Sequence, residues 1–249
     1  MHYVIGDIHS KLEAFTKLLQ EIEFNPEKDM IYCLGDYIDF GEDAIKTVKK
    51  IMDMQKNGYC VPILGNHELF MMDCAKRHPD LGQIPEEKEY EDETWLSYNG
   101  GRQTWDLFCK EPIETRKEII KWMNSLPYRV DVTVNNQKYV LCHAYPSKIV
   151  NENDEDFEFL RDLAVWSRAV RYIIPNDIIV IHGHTITYNY KVKKEPNVYD
   201  IDCGAKVIGR RKNAKLAAIR LEDLKIYYAM LEQNTNNKEN ENRKNRNIY

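Results

Sequence analysis

No stretch of this 249-residue chain approaches the ~18 consecutive apolar residues of a membrane-spanning helix. Nor is there an excess of positive charge. The 35 Lys and Arg stand against 40 Asp and Glu, a formal charge of −5 and the wrong balance for a protein that coats nucleic acid. The six cysteines, at 33, 60, 74, 109, 142 and 203, contain no C-x-x-C pair. That argues against a disulfide framework or a structural zinc site and leads us to expect a reducing cytosol. Met1 leads directly into a strand-like run, so no signal peptide is expected. Internal repeats are also lacking. What remains, 43% hydrophobic and 30% charged, is a globular composition.

The first third alternates strand and helix patterns. Apolar runs at 2–6, 30–34 and 60–64 predict strands. Between them, Leu12, Phe15, Leu18, Leu19 and Ile22 recur at helical spacing behind Ser10, a plausible N-cap, and 42–57 reads as a helix closed by Gly58. Short connections between these elements predict parallel β-α-β units. Residues 67–125 look helical. Runs at 128–134 and 138–142 flank Asn135-Asn136, a hairpin signal whose turn could exceed two residues. A helix at 155–171 and strands at 178–182, 198–202, 215–221 and 225–231 complete one domain, residues 1–232. The polar stretch 233–249 has almost nothing to bury and is expected to be a disordered tail.

All three early strands end alike, in G-D-I-H at 6–9, G-D-Y-I-D at 35–39 and G-N-H-E at 65–68. In a parallel sheet these tips share one edge, where open α/β folds bind ligands. Glycine turns the chain off the strand, so the following Asp, Asn and His can converge. Carboxylate, amide and imidazole donors together suit Mn²⁺, Fe or Zn²⁺ better than Ca²⁺. Two further apolar runs end in Cys142-His143-Ala144 and His182-Gly183-His184-Thr185, so five of seven histidines lie at expected strand ends. One such histidine means little, whereas the ordered set is specific.

This set resembles the calcineurin-like metallophosphoesterases and, more closely, the bacterial and phage serine/threonine protein phosphatases of the PPP family. Asn99-Gly100-Gly101, Trp166-Ser167-Arg168 and Asp202-Cys203-Gly204-Ala205 agree, extending the likeness from residue 2 to about 231. It implies an α/β (α+β) fold, a β-sandwich flanked by helices with the site at the strand ends. It also implies two divalent metals, with Mn²⁺ the expected ion, about 3.5–4 Å apart. Asp7 and His9 would hold the first metal, Asp36 would bridge, and Asn66, His143 and His184 would hold the second. His182 precedes the motif and is expected to be packed beside the site. The implied reaction is in-line attack on phosphorus by a hydroxide shared between the metals. His67 would protonate the leaving group and Asp39 would orient it. Glu68 reads as a first-turn helix carboxylate, and Trp95, Trp105 and Trp122 as core.

The pattern breaks at two positions. The family reads D-R-G and R-G-N-H-E where this chain has Phe40 and Leu64, so two phosphate-binding arginines are absent. Arg168 and Asn66 remain to contact phosphate, and Arg102 could move into the vacancy or stay a solvated helix-start residue. The acidic stretches 86–93 and 151–158 read as solvated loops, or as a rim that selects basic phosphopeptides. A phosphoprotein or small phosphate ester is the expected substrate, with no nucleic acid or membrane partner. Dinucleoside polyphosphate hydrolysis stays open because that branch also departs from D-R-G, as does a weakly active binding module. Oligomeric state is not legible. If the lost arginines weaken phosphate affinity, Phe40→Arg lowers KM for a small aryl phosphate in steady-state assays; an unchanged or higher KM contradicts this.

Overall fold

The computed structural model describes residues 1–85, 88, 90, 92–144, 162, 164–168 and 174–231. The expected tail, most of the helix at 155–171 and much of both acidic stretches lie outside these residues.

The chain begins with β1 (His2–Ile5), α1 (Leu12–Glu21), β2 (Met30–Cys33), α2 (Ala44–Lys56) and β3 (Cys60–Pro62). β1, β2 and β3 pair in parallel, with Tyr3 opposite Ile31 and Ile31 opposite Cys60, as the repeated apolar-run grammar requires. Ser10 does not cap α1. Its φ of 59° belongs to the turn, and Lys11 precedes the helix instead. Pro62 is tolerated because β3 is an edge strand.

The expected helical middle divides into α3 (Asn66–Arg77), α4 (Glu93–Leu96), α5 (Gly101–Cys109) and α6 (Ile113–Asn124). Gly100, at φ 83°, and Pro112 separate the last three. β4 (Arg129–Val134) and β5 (Gln137–Cys142) form the hairpin. Its turn is only two residues long, with Asn135 and Asn136 both left-handed as a tight primed turn demands. β6 (Ile178–His182), β7 (Lys193–Glu195), β8 (Val198–Asp200), β9 (Leu216–Arg220) and β10 (Ile226–Ala229) follow. β7, sequence Lys-Lys-Glu, had no apolar signal; it is a charged edge strand held by backbone pairing to β8.

Two five-stranded sheets result, ordered β10-β9-β1-β2-β3 and β4-β5-β6-β8-β7. Each contains a parallel trio, β1-β2-β3 in one and β5-β6-β8 in the other. Their inner faces meet through Val4, Leu34, Ile63, Leu141, Ile181, Ile201 and Ile219, while α1 and α2 bury Phe15 and Val48 against the outer face of the first sheet and α5 adds Trp105 and Phe108 to the same core. Among the described residues no helix is long and apolar enough to cross a membrane. Because Leu141 is fully buried between the sheets, Leu141→Ala should cost about 2–5 kcal/mol in chemical denaturation; a loss under about 1 kcal/mol would show that the inter-sheet core is not tightly packed.

Candidate active site

The C-terminal ends of the two parallel trios converge. From the first sheet come Asp7 and His9 after β1, Asp36 and Asp39 after β2, and Asn66 and His67 after β3. The second supplies His143 after β5, His184 after β6 and Asp202 after β8. The tips are stitched together by backbone bonds, from His9 N to the Asp36 carbonyl (2.8 Å) and from Gly183 N to the His143 carbonyl (2.8 Å). Left-handed backbone clusters here. His9, Asp36, Asp39, Phe40 and His184 have φ between 46° and 72°, a strain of about 1 kcal/mol or more each that functional sites characteristically hold. Gly183 explains the close approach of the second sheet, since a Cβ there would lie 2.0 Å from Asp7 Oδ1.

Asp36 is the centre of the cluster. Its Oδ2 faces His9 Nε2 at 3.4 Å, and its Oδ1 faces His143 Nε2 at 3.4 Å. Glu68 fixes the tip from beneath, accepting from Asp36 N (2.8 Å), Tyr37 N (2.8 Å) and Gly65 N (3.1 Å). On one side Asn66 Oδ1 lies 2.8 Å from His143 Nε2 and 2.9 Å from His184 Nδ1. On the other, His9, Asp36 and His67 offer donor atoms within 4.8 Å of one another, as do Asp7, Asp36 and His143.

These donors fit divalent cations. His9 Nδ1 and His143 Nδ1 donate to the carbonyls of Ile38 (3.0 Å) and Leu34 (2.8 Å), which leaves the Nε2 lone pairs directed at the oxygens of Asp36 and Asn66. Such an arrangement sets acceptor against acceptor, and a cation between them relieves it. His184 Nε2 and Asp202 Oδ2 are buried with no hydrogen-bond partner.

The electrostatics agree. Burial, and then the charges of Asp202 and Asp36, push the Asp7 carboxyl well above its usual range. Burial likewise pushes Glu68 up to about 8 and Asp202 to about 6. For Asp36 burial works in the same direction, but four surrounding imidazoles, His143 first, are protonated at the acid pH where this carboxyl would titrate, outweigh burial and hold it low. Burial lowers His9, His143 and His184, the last to about 3, keeping them neutral as metal ligation requires.

Beside the cluster, His67 Nδ1 meets Asp39 Oδ2 at 2.5 Å. Asp39 is fully buried and also accepts from Trp95 Nε1 (2.7 Å) and Thr104 Oγ1 (2.5 Å). Burial would lower His67, but Asp36 and Asp39 outweigh it and raise the imidazole to about 9. Its Nε2 faces inward, 3.8 Å from Asp36 Oδ2.

A sequence model of the calcineurin-like phosphoesterases matches residues 3–208. The chain belongs to the calcineurin-like phosphoesterase family. It is 24% identical to serine/threonine-protein phosphatase 2 of Salmonella typhimurium over 67% of each chain. It is 39% identical over 71 residues to a symmetrical bis(5'-nucleosyl)-tetraphosphatase of Wigglesworthia glossinidia brevipalpis, covering 28% of this chain and only 25% of that relative. A crystal structure described as a candidate diadenosine tetraphosphatase superposes with a TM-score of 0.64 at 15% identity, covering 92% of both chains, which shows the shared fold.

The structure thus brings together Asp7, His9, Asp36, Asn66, His143 and His184, with His67 and Asp39 alongside. Arg168 is exposed close enough for its charge to depress His184, and with His182, Thr185 and Asp200 it lines a cavity of about 110 Å³. Arg102, on α5, lies within 3.8 Å of Asp106 and lines a second cavity together with Phe40. Sequence reasoning missed what Glu68, Trp95, Thr104 and Asp202 do. Only the G-N-H-E and I-D-C-G strings hinted at two of them. One other buried group, Cys74, His78 and Asp92, is already saturated, because Asp92 accepts from both Arg77 and His78.

The metal-free fold should lose stability as pH rises above about 7. Glu68, Asp200 (raised to about 8, chiefly by burial) and His67 bind protons more tightly folded than unfolded, so their contribution fades as pH rises from their unfolded values, about 4 for the carboxyls and about 6.5 for His67, and is gone above about 8 to 9. His9, His143 and His184 are depressed, so theirs is lost as pH falls below their unfolded value of about 6.5. Calorimetry of EDTA-treated protein should therefore give a Tm that falls from about pH 7 to 9, and Mn²⁺ should raise Tm most on the alkaline side. A Tm rising monotonically to pH 9 without metal contradicts this reading.

Proposed function

We propose that this chain is a dinuclear-metal phosphomonoesterase acting on phosphoserine or phosphothreonine in proteins. The observation that carries the reading is Asp36, whose Oδ2 faces His9 and whose Oδ1 faces His143, each at 3.4 Å. Asp7, His9 and Asp36 would hold one ion, and Asp36, Asn66, His143 and His184 the other. Bound there, two divalent ions supply an acidified water and neutralise charge on the phosphoryl oxygens. Mn²⁺ suits the mixed nitrogen and oxygen donors.

The protein's own groups do the rest. His67, its ring fixed through Nδ1 by Asp39, presents Nε2–H to the alkoxide that departs from phosphorus. Asp39 is itself locked by Trp95 and Thr104. Arg168, at the rim, supplies a contact to a phosphoryl oxygen. The unpaired state of all six thiols fits a cytosolic enzyme.

Asp39 with its hydrogen-bonded His67, the retained Trp166-Ser167-Arg168 and the two-thirds alignment to the Salmonella phosphatase favour the protein phosphatase. Phe40 and Leu64, with the tetraphosphatase likeness, support a second reading as a dinucleoside tetraphosphate hydrolase. Metal-stripped protein reloaded with Mn²⁺ should be offered a phosphothreonine peptide, an aryl phosphate and diadenosine tetraphosphate in parallel. The first two should turn over faster, with Asp39→Asn lowering kcat by about 10²-fold. Preference for the tetraphosphate would instead support the second reading, and no turnover of any by the metal-loaded protein would overturn both.

A further inference from the structure

Beside Phe40 stands a cation that none of the motifs contains. Lys206 stands on a single helical turn, Ala205–Val207, two residues after the strand tip that delivers Asp202. The turn is built for its place. Gly204 is left-handed at φ 82°, a Cβ there would lie 2.6 Å from the Tyr190 ring, and its N–H donates to Asp202 Oδ1 at 2.9 Å. The tip that brings a carboxylate into the cluster therefore also holds Lys206 at its mouth.

Three observations locate the ammonium. Its Nζ lies 5.7 Å from the centroid of the Phe40 ring, within reach of a cation–π contact. That ring packs edge-on against His9 (5.3 Å) and His67 (5.5 Å). The positive charge is felt at His9, His143 and Asp202, which lie on both sides of Asp36. Lys206 is half-buried, and among the described residues no hydrogen bond or ion pair engages its amine. A confined cation facing a cluster of donors, yet bonded to no carboxylate, is placed to meet an anion that arrives with the substrate.

We propose that Lys206 binds a phosphoryl oxygen of the substrate, with the Phe40 ring holding its amine over the site. This rests on the phosphoesterase reading above and gives Phe40 a definite task. A guanidinium at position 40 would lie where the aromatic ring now steadies a lysine from another strand tip. Lysine binds phosphate as a compact point charge rather than a planar fork, which suits a terminal monoester whose oxygens are reached from one direction.

The test uses Mn²⁺-loaded full chain with Lys206→Met and Lys206→Arg. Calorimetry would measure Kd for inorganic phosphate and for Mn²⁺, and steady-state assays would measure kcat and KM for an aryl phosphate. We expect Lys206→Met to weaken phosphate binding and raise KM together, by about tenfold to a hundredfold, with Mn²⁺ affinity and Tm unchanged. Lys206→Arg should recover most of the loss. Unchanged phosphate affinity in Lys206→Met would overturn the proposal. So would a change in Mn²⁺ affinity alone, which would mean that the amine only balances Asp202. Phosphate binding is read without turnover, so this outcome stands apart from whether the enzyme hydrolyses any substrate offered.

Discussion

A buried carboxylate with an imidazole on either side sets the terms for this protein. Asp36 cannot be solvated, because only 2% of its surface is exposed. Nor can it be neutralised by lysine or arginine, since none lies against it among the hydrogen bonds and ion pairs described. Its neighbours are imidazoles with committed Nδ1 atoms and the carboxylates of Asp7 and Asp202. An interior that gathers this much acceptor density is costly unless cations enter it. The sandwich makes the gathering possible, because six parallel strand ends from two sheets can be aimed at one point with backbone tip-to-tip bonds holding them.

Around that centre the structure is arranged in tiers. Glu68 spends its carboxylate on three backbone N–H groups of the strand tips, so the loop carrying Asp36 cannot relax. Trp95 and Thr104, from helices more than fifty residues away in sequence, lock Asp39, which in turn locks His67. The left-handed residues at His9, Asp36 and Asp39 persist because these bonds over-determine them. The helical middle of the chain is therefore part of the site's scaffold, although it contributes no donor to the metal cluster beyond the first turn of α3.

Much of this was legible in the sequence, for physical reasons. Apolar runs ending in Gly-Asp or Gly-Asn-His announce strands that stop at a ligand edge, so the β1–α1–β2–α2–β3 unit and the convergence of its three tips could be read directly, while the full set of six donors came from the family resemblance. The Asn135-Asn136 hairpin was equally plain because few residue pairs accept two left-handed conformations. Other features depend on contacts that spacing does not encode. Ser10 looks like a cap, but the turn after His9 takes it out of position. β7 has no hydrophobic signature because it is an edge held by backbone pairing, with Lys194 lying over the Tyr199 ring of β8. Trp95 read as core, and it is core, but its one polar atom reaches Asp39 across 56 positions of sequence. Arg102 read equally as a phosphate contact or a surface residue, and it lies beside Asp106, lining a cavity together with Phe40.

The central claim is that Asp36 joins two cation sites into one. The direct measurement is Mn²⁺ stoichiometry with electron paramagnetic resonance on the wild-type chain and on Asp36→Asn. The account predicts two Mn²⁺ per wild-type chain with the exchange-coupled signal of a close pair, and loss of that coupling in Asp36→Asn. A single Mn²⁺, or two that give only uncoupled signals in the wild type, would contradict it.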